Sequence, residues 1–108
     1  MKALAILSLW LAAATVARAS EVSDLYSDKC AGCHGDDGKG HTKMGKKYHA
    51  PDFTKAKWQA KAKDDELVHV IENGVIEDGK VHMPPWKEKL TPQQVTDLAK
   101  FTRSFGAR

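Results

Sequence analysis

Cysteine is scarce in this chain of 108 residues, which contains only Cys30 and Cys33. A closed zinc site needs four ligands, usually supplied by two such pairs, and a second pair is absent. Strand patterning is also weak, and the sequence shows no internal repeat and no second domain after residue 20. A thioredoxin-like redox pair would lie among alternating strands and helices, so that interpretation is disfavoured too. The sequence predicts one small all-α domain.

The sequence has no second long apolar stretch. The one that it has, Ala3 to Val16, follows Lys2 and precedes Ala17-Arg18-Ala19, which has the small-residue pattern of a signal-peptide cleavage site. We therefore predict a secretory signal peptide over residues 1–19, cleaved after Ala19. The domain over residues 20–108 is then exported to the periplasm without stable membrane insertion. An uncleaved membrane anchor is the alternative, although the run is short for a bilayer span.

A strong charge of either sign is absent as well. The formal net charge of +3 includes Lys2 and Arg18, which both belong to the predicted leader. Without them the charge falls to about +1, which is close to neutral for a domain of this size. Such a balance gives no indication of nucleic-acid binding.

The two cysteines belong to the segment Cys30-Ala31-Gly32-Cys33-His34, which has the C-x-x-C-H pattern of covalent haem attachment. Thiols three residues apart lie about one helical turn apart, so both can reach the two vinyl groups of one porphyrin. The imidazole that follows can bind the iron as its proximal ligand. We expect one covalently bound haem c per chain. We also expect the haem-free chain to fold poorly, because so short a chain makes a thin core.

Helical periodicity is clearest in three segments. Val22 to Lys29 has apolar residues at helical spacing and leads straight into the haem motif. A second helix is predicted from three acidic residues at Asp64 to a stop at Gly74. The last helix has Thr91 as its N-cap, and Gln94 completes a capping box. Between the first two, the polar and glycine-rich segment from Gly35 to Asp52 predicts a long loop that wraps the haem edge.

A second axial ligand would close the iron to small molecules and leave electron transfer as its main chemistry. Outside the initiator, the candidates are Met83 and Met44. Met83 precedes Pro84 and Pro85, which stiffen the backbone and could hold the thioether against the iron. Met44 lies in the flexible lysine-rich loop. We predict Met83 as the distal ligand, with gap-filling beside the porphyrin as the alternative role of either methionine.

Two further residues complete these expectations from the sequence. Trp86, just after the prolines, is predicted to wall the haem pocket or pack beside it. His82 precedes Met83 in a segment expected to be extended, where neighbouring side chains point to opposite sides. We therefore predict that His82 is exposed to solvent and is not a ligand.

Taken together, Cys30-Ala31-Gly32-Cys33-His34-Gly35, the later Met83-Pro84-Pro85 and the closing helix resemble a small bacterial monohaem class I cytochrome c. The resemblance covers essentially all of residues 20–108. It implies about three main helices wrapped around the haem, of which the first and the last cross. It also implies thioether bonds at Cys30 and Cys33, His34 as the proximal ligand and Met83 as the distal ligand.

The resemblance implies two finer contacts. At the helix crossing, Tyr26 or Leu25 would meet Leu98 or Phe101. The carbonyl of a proline, for which Pro51 is the candidate, would accept the Nδ1 proton of the proximal imidazole.

The favoured function is electron transfer without enzymatic activity, by a soluble periplasmic carrier. We expect a monomer that makes transient contacts with redox partner proteins at the haem edge. The alternatives are a gas-sensing or peroxide-reactive haem protein with a labile Met83, and a dedicated electron-accepting subunit of a periplasmic dehydrogenase. Five lysines near the motif either steer acidic partners or form an ordinary solvated surface: Lys29, Lys39, Lys43, Lys46 and Lys47.

Overall fold

The computed structural model describes the backbone of residues 2–108 and the side chains of residues 15–108. Most side chains of the predicted leader therefore lie outside the described residues. Helix α1 spans Lys2–Lys29 and is followed directly by the short α2, Ala31–His34. The sequence predicted a start at Val22, but α1 is continuous through the predicted cleavage site, since its alanines and leucines favour helix. Within the described chain, no helix is long and apolar enough to cross a membrane.

The segment between the haem motif and the next predicted helix is only partly a loop. It contains α3, Lys43–Lys47, whose N-cap Thr42 accepts a hydrogen bond from Gly45 N. The next helical piece, α4, spans Ala56–Lys61. Helix α5 spans Asp64–Asn73 and ends at Gly74, whose φ of +73° suits the stop expected there.

A β-hairpin follows α5, which the sequence did not predict. Strand β1, Val75–Glu77, pairs antiparallel with β2, Lys80–Met83, and a register irregularity lies between Val75 and Ile76. The two residues of the connecting turn, Asp78 and Gly79, both have positive φ, which matches the twist of a tight hairpin. The strands are too short for their alternation to stand out in the sequence, so the hairpin needs tertiary contacts for its stability.

The last helix, α6, spans Pro92–Ser104 and continues into a 3₁₀ turn over Phe105–Ala107. Its start confirms the predicted capping box, because Thr91 accepts from Gln94 N while the Gln94 side chain accepts from Thr91 N. Helices α1 and α6 pack against each other. The core of the domain lies at this contact. Its buried residues are Tyr26, Phe53, Leu90, Val95, Leu98 and Phe105.

The aromatic contact at this crossing confirms the expected meeting of the first and last helices. The ring centroids of Tyr26 and Phe101 lie 4.8 Å apart, and those of Tyr26 and Phe105 lie 5.2 Å apart. Tilted aromatic pairs at such distances stabilise the fold beyond the contribution of the apolar area that they bury. The all-α prediction is confirmed for the architecture of the domain, with the hairpin as a small addition.

Candidate functional site

The two thiols are positioned by a continuation of α1. Cys30 N donates to Tyr26 O at 2.9 Å, and His34 N donates to Cys30 O at 3.0 Å, so the motif turns immediately into α2. This places Cys30 and Cys33 about one helical turn apart, as two vinyl groups of one porphyrin require. Gly35 ends α2 with a φ of +82°, a conformation that glycine adopts without strain.

Helix α3 is held tightly against the motif. The Thr42 hydroxyl donates to Cys33 O at 2.6 Å and accepts from Gly45 N at 2.9 Å. Gly45 is buried, and a Cβ there would collide with the carbonyl oxygens of Cys33 and Gly40. The lysine-rich segment is therefore packed against the motif at this point, and glycine is needed because two backbone segments meet there.

His34 is buried and has the chemistry of a neutral ligand. Its ring stacks on Phe53 with centroids 4.7 Å apart, and burial lowers the pKa of the imidazole. Its Nδ1 atom is buried without a hydrogen-bond partner among the described residues. The predicted bond from this atom to the Pro51 carbonyl is therefore not formed, although Pro51 lines the same cavity. Helix α3 occupies part of the interval between His34 and Pro51, so the chain does not run directly from the haem motif to Pro51.

Met83 lies at the end of β2, where the hairpin meets α5. Gly74 allows this approach, because a Cβ there would collide with the Met83 carbonyl oxygen and would lie 2.9 Å from Pro85 N. After the prolines, Trp86 N donates to Ile71 O at 3.0 Å and ties the segment to α5. The segment from Met83 to Trp86 is thus fixed by backbone contacts to the end of α5.

The candidate ligands meet in one cavity of about 530 Å³. Its walls contain Cys30, Cys33, His34, Pro51, Met83 and Trp86. Most of the other lining residues are apolar or aromatic, and they come from α1, α4, α5, α6, the hairpin and the loops between these elements. Met44 is not part of this lining, and its side chain is 42% exposed. Of the two candidate distal ligands, only Met83 therefore faces the same cavity as His34.

The residues present fit a covalently attached haem. The cavity is lined mainly by apolar groups that match a porphyrin plane, and the two thiols and the buried His34 imidazole reach it from one short motif. Burial raises the pKa of the Cys30 thiol to about 11. That thiol stays protonated at neutral pH, unlike the low-pKa nucleophile of an active redox pair. The described residues also contain no cluster of three or more His, Cys, Asp or Glu side chains suited to a metal ion.

Trp86 lies between the cavity and the surface. Its ring has the ammonium groups of Lys29 and Lys89 at 5.5 Å from the centroid. Such cation–π contacts hold the indole in place while its other edge lines the cavity. The position agrees with the predicted pocket wall and adds Lys89, which the sequence did not single out.

Three cavity residues were missed by the sequence analysis. His82 was predicted to be exposed, but its side chain is only 19% exposed and lines the cavity. It contacts Tyr48 edge-on at 5.7 Å and stacks on His49 at 6.5 Å, and both of these also line the cavity. The prediction about His82 failed because the hairpin and its register irregularity were not recognised. The Asp78-Gly79 turn between two Val-containing segments is the signal that could have revealed them.

A helical fold around an apolar cavity, with two thioether-forming cysteines and an imidazole in one short motif, defines a small monohaem class I cytochrome c with haem c as its cofactor. A family model agrees with this class over residues 17–101 and is described as cytochrome c oxidase, cbb3-type, subunit III. The chain belongs to this family.

The chain is similar to several known proteins. It is 34% identical over 85 residues to the cbb3-type cytochrome c oxidase subunit FixPc of Rhizobium leguminosarum bv. viciae, covering 76% of this chain and 26% of that protein. It is 30% identical over 101 residues to the cbb3-type subunit CcoP of Azospirillum brasilense, covering 94% and 33%. A solved structure, the KustC0563 c-type cytochrome, superposes with a TM-score of 0.69 at 38% identity, covering 77% and 94%.

These relatives correct one prediction. The chain spans about a quarter to a third of the length of the curated relatives it matches, and those relatives are named as subunits of an oxidase. That finding contradicts the expectation of a monomer that makes only transient partner contacts at the haem edge. A short haem domain has the same local pattern whether it is free or part of a larger protein, so the residues alone did not separate the two cases.

Proposed function

We propose that this chain is an exported electron-transfer domain that accepts and donates single electrons as part of a larger redox complex. Its place is the periplasm, with the leader removed after Ala19, and it catalyses no bond chemistry of its own. The observation that carries the proposal is the single cavity that contains Cys30, Cys33, His34 and Met83. The oxidase subunits among its relatives support the association with a complex.

Each side chain has a defined task in this proposal. Cys30 and Cys33 would hold the cofactor covalently, and the buried His34 imidazole, whose lowered pKa favours its neutral form, would bind the iron. Met83 would supply the second ligand from a segment whose backbone is fixed against α5. When bound, haem c supplies an iron that changes by one electron between the ferric and ferrous states. A thioether ligand favours the ferrous state relative to a second imidazole, so Met83 raises the potential.

The apolar lining also supports electron transfer, because it would exclude water from the bound iron. Phe53 stacks on the proximal imidazole at 4.7 Å and prevents the ring from turning. A ligand set that keeps its geometry in both oxidation states makes electron transfer fast, since little structure has to rearrange. The edge near Trp86, Lys29 and Lys89 is one part of the lining that lies near the surface.

The experiment is an absorption spectrum of the matured protein, oxidised and then reduced, before and after carbon monoxide. We expect low-spin spectra, a weak sulfur-to-iron band in the oxidised form and no response to the gas. Met83→Ala should lose the sulfur band and bind carbon monoxide. Met44→Ala is the matched control and should behave as the unchanged protein. Loss of the sulfur band in Met44→Ala instead, or gas binding by the unchanged protein, would contradict the proposal.

Association with a complex is tested separately. Solubilised membranes of the source organism, separated by native size, should contain the chain at the mass of an oxidase assembly. Haem staining after denaturing electrophoresis identifies its own band. Recovery of all the chain at the mass of a free domain would overturn this part of the proposal and leave the haem site untouched.

A further inference from the structure

A hydrogen-bonded group of residues lies behind the ring that stacks on the proximal imidazole. That ring belongs to Phe53, which is buried, and its plane makes an angle of 21° with the His34 ring. Phe53 also contacts the ring of Trp58, with 4.8 Å between the centroids. The direction of the His34 plane therefore depends on where Phe53 is fixed.

The backbone of Phe53 is fixed on both sides of its side chain. Phe53 N donates to Gly38 O at 2.8 Å, which is a contact between two backbone groups. Phe53 O accepts from Gln59 Nε2 at 2.7 Å, so the second bond comes from a side chain of α4. Because only this second bond depends on a side chain, a substitution at Gln59 can release Phe53 O.

The amide of Gln59 is fully engaged. Its Nε2 atom also donates to Thr102 O at 3.0 Å, and its Oε1 atom accepts from Arg103 Nη1 at 3.1 Å. The reverse orientation of the amide would point its oxygen at two carbonyl oxygens, so these partners determine which way the amide faces. Gly106 lies so close that a Cβ there would come within 2.7 Å of Gln59 Cγ. Gln59 consequently has little freedom to move away from Phe53 O.

Gln59 is half-buried and does not line the cavity, so any effect that it has on the iron must pass through another residue. We propose that Gln59 is a positioning residue for the proximal ligand. Its amide fixes Phe53, and the stacked Phe53 ring sets the angle of the His34 imidazole plane. Hydrogen bonds outside the ligand set commonly orient the ligands in this way. This inference rests on the proposed haem site and requires no partner protein.

The test is the proton NMR spectrum of the oxidised, haem-loaded protein. The unpaired electron of a low-spin ferric haem shifts the ring methyl signals by amounts that depend on the directions of the axial ligands. Gln59→Met keeps the length and the neutrality of the side chain but removes both donated hydrogen bonds. We expect the methyl signals to change in spread and order, while covalent haem and the sulfur-to-iron band are retained.

A second variant covers the case in which Gln59→Met yields no haem-loaded protein. Gln59→Glu keeps an oxygen for Arg103 and loses the donor to Phe53 O, so it should also change the methyl pattern. If the pattern of Gln59→Glu equals that of the unchanged protein, the donated hydrogen bond does not position the ligand and the proposal is wrong.

A double substitution tests whether the effect passes through Phe53. Phe53→Leu removes the ring that stacks on His34 and should itself alter the methyl pattern. In the Phe53→Leu protein, Gln59→Met should cause no further change, because the ring through which Gln59 acts is absent. A change of equal size on both backgrounds would show that Gln59 acts by another route, which would overturn the proposal.

The matched control is Gln93→Met, which is the same change at an exposed glutamine of α6. Gln93 Nε2 donates to Asp97 Oδ1 at 2.9 Å, so this variant also loses a donated hydrogen bond. Its methyl pattern should equal that of the unchanged protein. If Gln59→Met lowered thermal stability and left the methyl signals in place, Gln59 would have a structural role only and the proposal would be refuted.

The two proposals fail in distinguishable ways. If the unchanged protein lacked covalent haem or the sulfur-to-iron band, the proposed function would be wrong at the ligands. If both were present and the Gln59 variants had the methyl pattern of the unchanged protein, only the positioning role would be wrong.

Discussion

The buried hydroxyl of Tyr26 donates a hydrogen bond to the carbonyl oxygen of Gly35 at a distance of 2.7 Å. This bond joins α1 to the residue that directly follows the haem motif, across the two cysteines and His34. Burial raises the pKa of the Tyr26 hydroxyl well above its usual range, so it remains a donor at every pH of interest. One side chain thus fastens the motif to the crossing of α1 and α6.

Tyr26→Phe should destabilise the holoprotein by about 1 kcal/mol, because the buried Gly35 carbonyl oxygen loses one of its two donors and keeps Gly38 N at 3.1 Å. The phenylalanine ring keeps the contacts with Phe101 and Phe105, so the loss reports the hydroxyl alone. Denaturant unfolding followed by circular dichroism measures it. An unchanged midpoint would show that water or a shifted backbone replaces the bond.

Gly45→Ala should destabilise the domain by about 1–3 kcal/mol, since the added methyl meets two backbone carbonyl oxygens that cannot move independently. Gly32→Ala is the matched control. It lies within the haem motif itself, yet a Cβ there would meet no atom within 4 Å. Thermal unfolding and the yield of covalently haem-loaded protein compare the two. Equal behaviour of the two variants would refute the close approach of α3 to the motif.

Arg103 connects α6 to the segment between α4 and α5. Its guanidinium donates to Gln59 O at 2.7 Å, to Ala62 O at 2.5 Å and to Asp64 Oδ1 at 2.9 Å. Arg103→Lys keeps the charge but cannot reproduce this fork of donors. We expect a loss of about 1–3 kcal/mol, because carbonyl oxygens lose a charged donor.

The unfolding free energy of the Arg103 variant is compared with that of Arg108→Lys. Arg108 lies near the Phe105 ring, at 4.5 Å from its centroid, and the described structure shows no carbonyl oxygen hydrogen-bonded to it. Arg108→Lys should lower the free energy of unfolding by less than Arg103→Lys does. If the two substitutions cost the same, the carbonyl contacts of Arg103 add nothing beyond its charge.

Leader removal should change the pH dependence of stability. In the full chain, the hydrogen bond from Arg18 holds the pKa of the Asp97 carboxyl below its usual value. The folded state then binds the proton less readily than the unfolded state does. The contribution of Asp97 is therefore fully present above about pH 4 and is lost as the pH falls through its lowered pKa.

Cleavage after Ala19 removes Arg18, so this contribution should be smaller in the exported form, where Gln93 Nε2 still donates to Asp97 Oδ1 at 2.9 Å. Acid unfolding of the full chain and of residues 20–108, each with and without Asp97→Asn, separates the two cases. Above about pH 4, the substitution should lower the stability of the full chain more than that of residues 20–108. An intact mass of the protein recovered from the periplasm shows independently whether the cut occurs.

Removal of both attachment thiols, as Cys30→Ala with Cys33→Ala, should abolish covalent haem and lower the thermal stability of the chain. The cavity of about 530 Å³ lies at the centre of a short domain, and its walls lose their apolar contacts when nothing fills it. Calorimetry of the matured and the unattached forms compares them. A cooperative transition at the same temperature in both would show that the fold is independent of its cofactor.

The sequence by itself determined the parts of this protein that depend on near neighbours along the chain. The spacing of Cys30, Cys33 and His34 determined the cofactor, and Thr91 with Gln94 determined where α6 begins. The acidic start and glycine end of α5 are equally local, because capping and helix periodicity are settled within a few residues.

Only the tertiary structure decided which distant residues share the cavity. It brought Met83 to the same walls as His34 and left Met44 outside them, and it turned His82 inward beside His49. It also left His34 Nδ1 without a hydrogen bond to the Pro51 carbonyl oxygen. These outcomes depend on a three-residue strand, a register irregularity and glycines at close approaches. Their effect comes from packing between segments far apart in sequence, which no local pattern records.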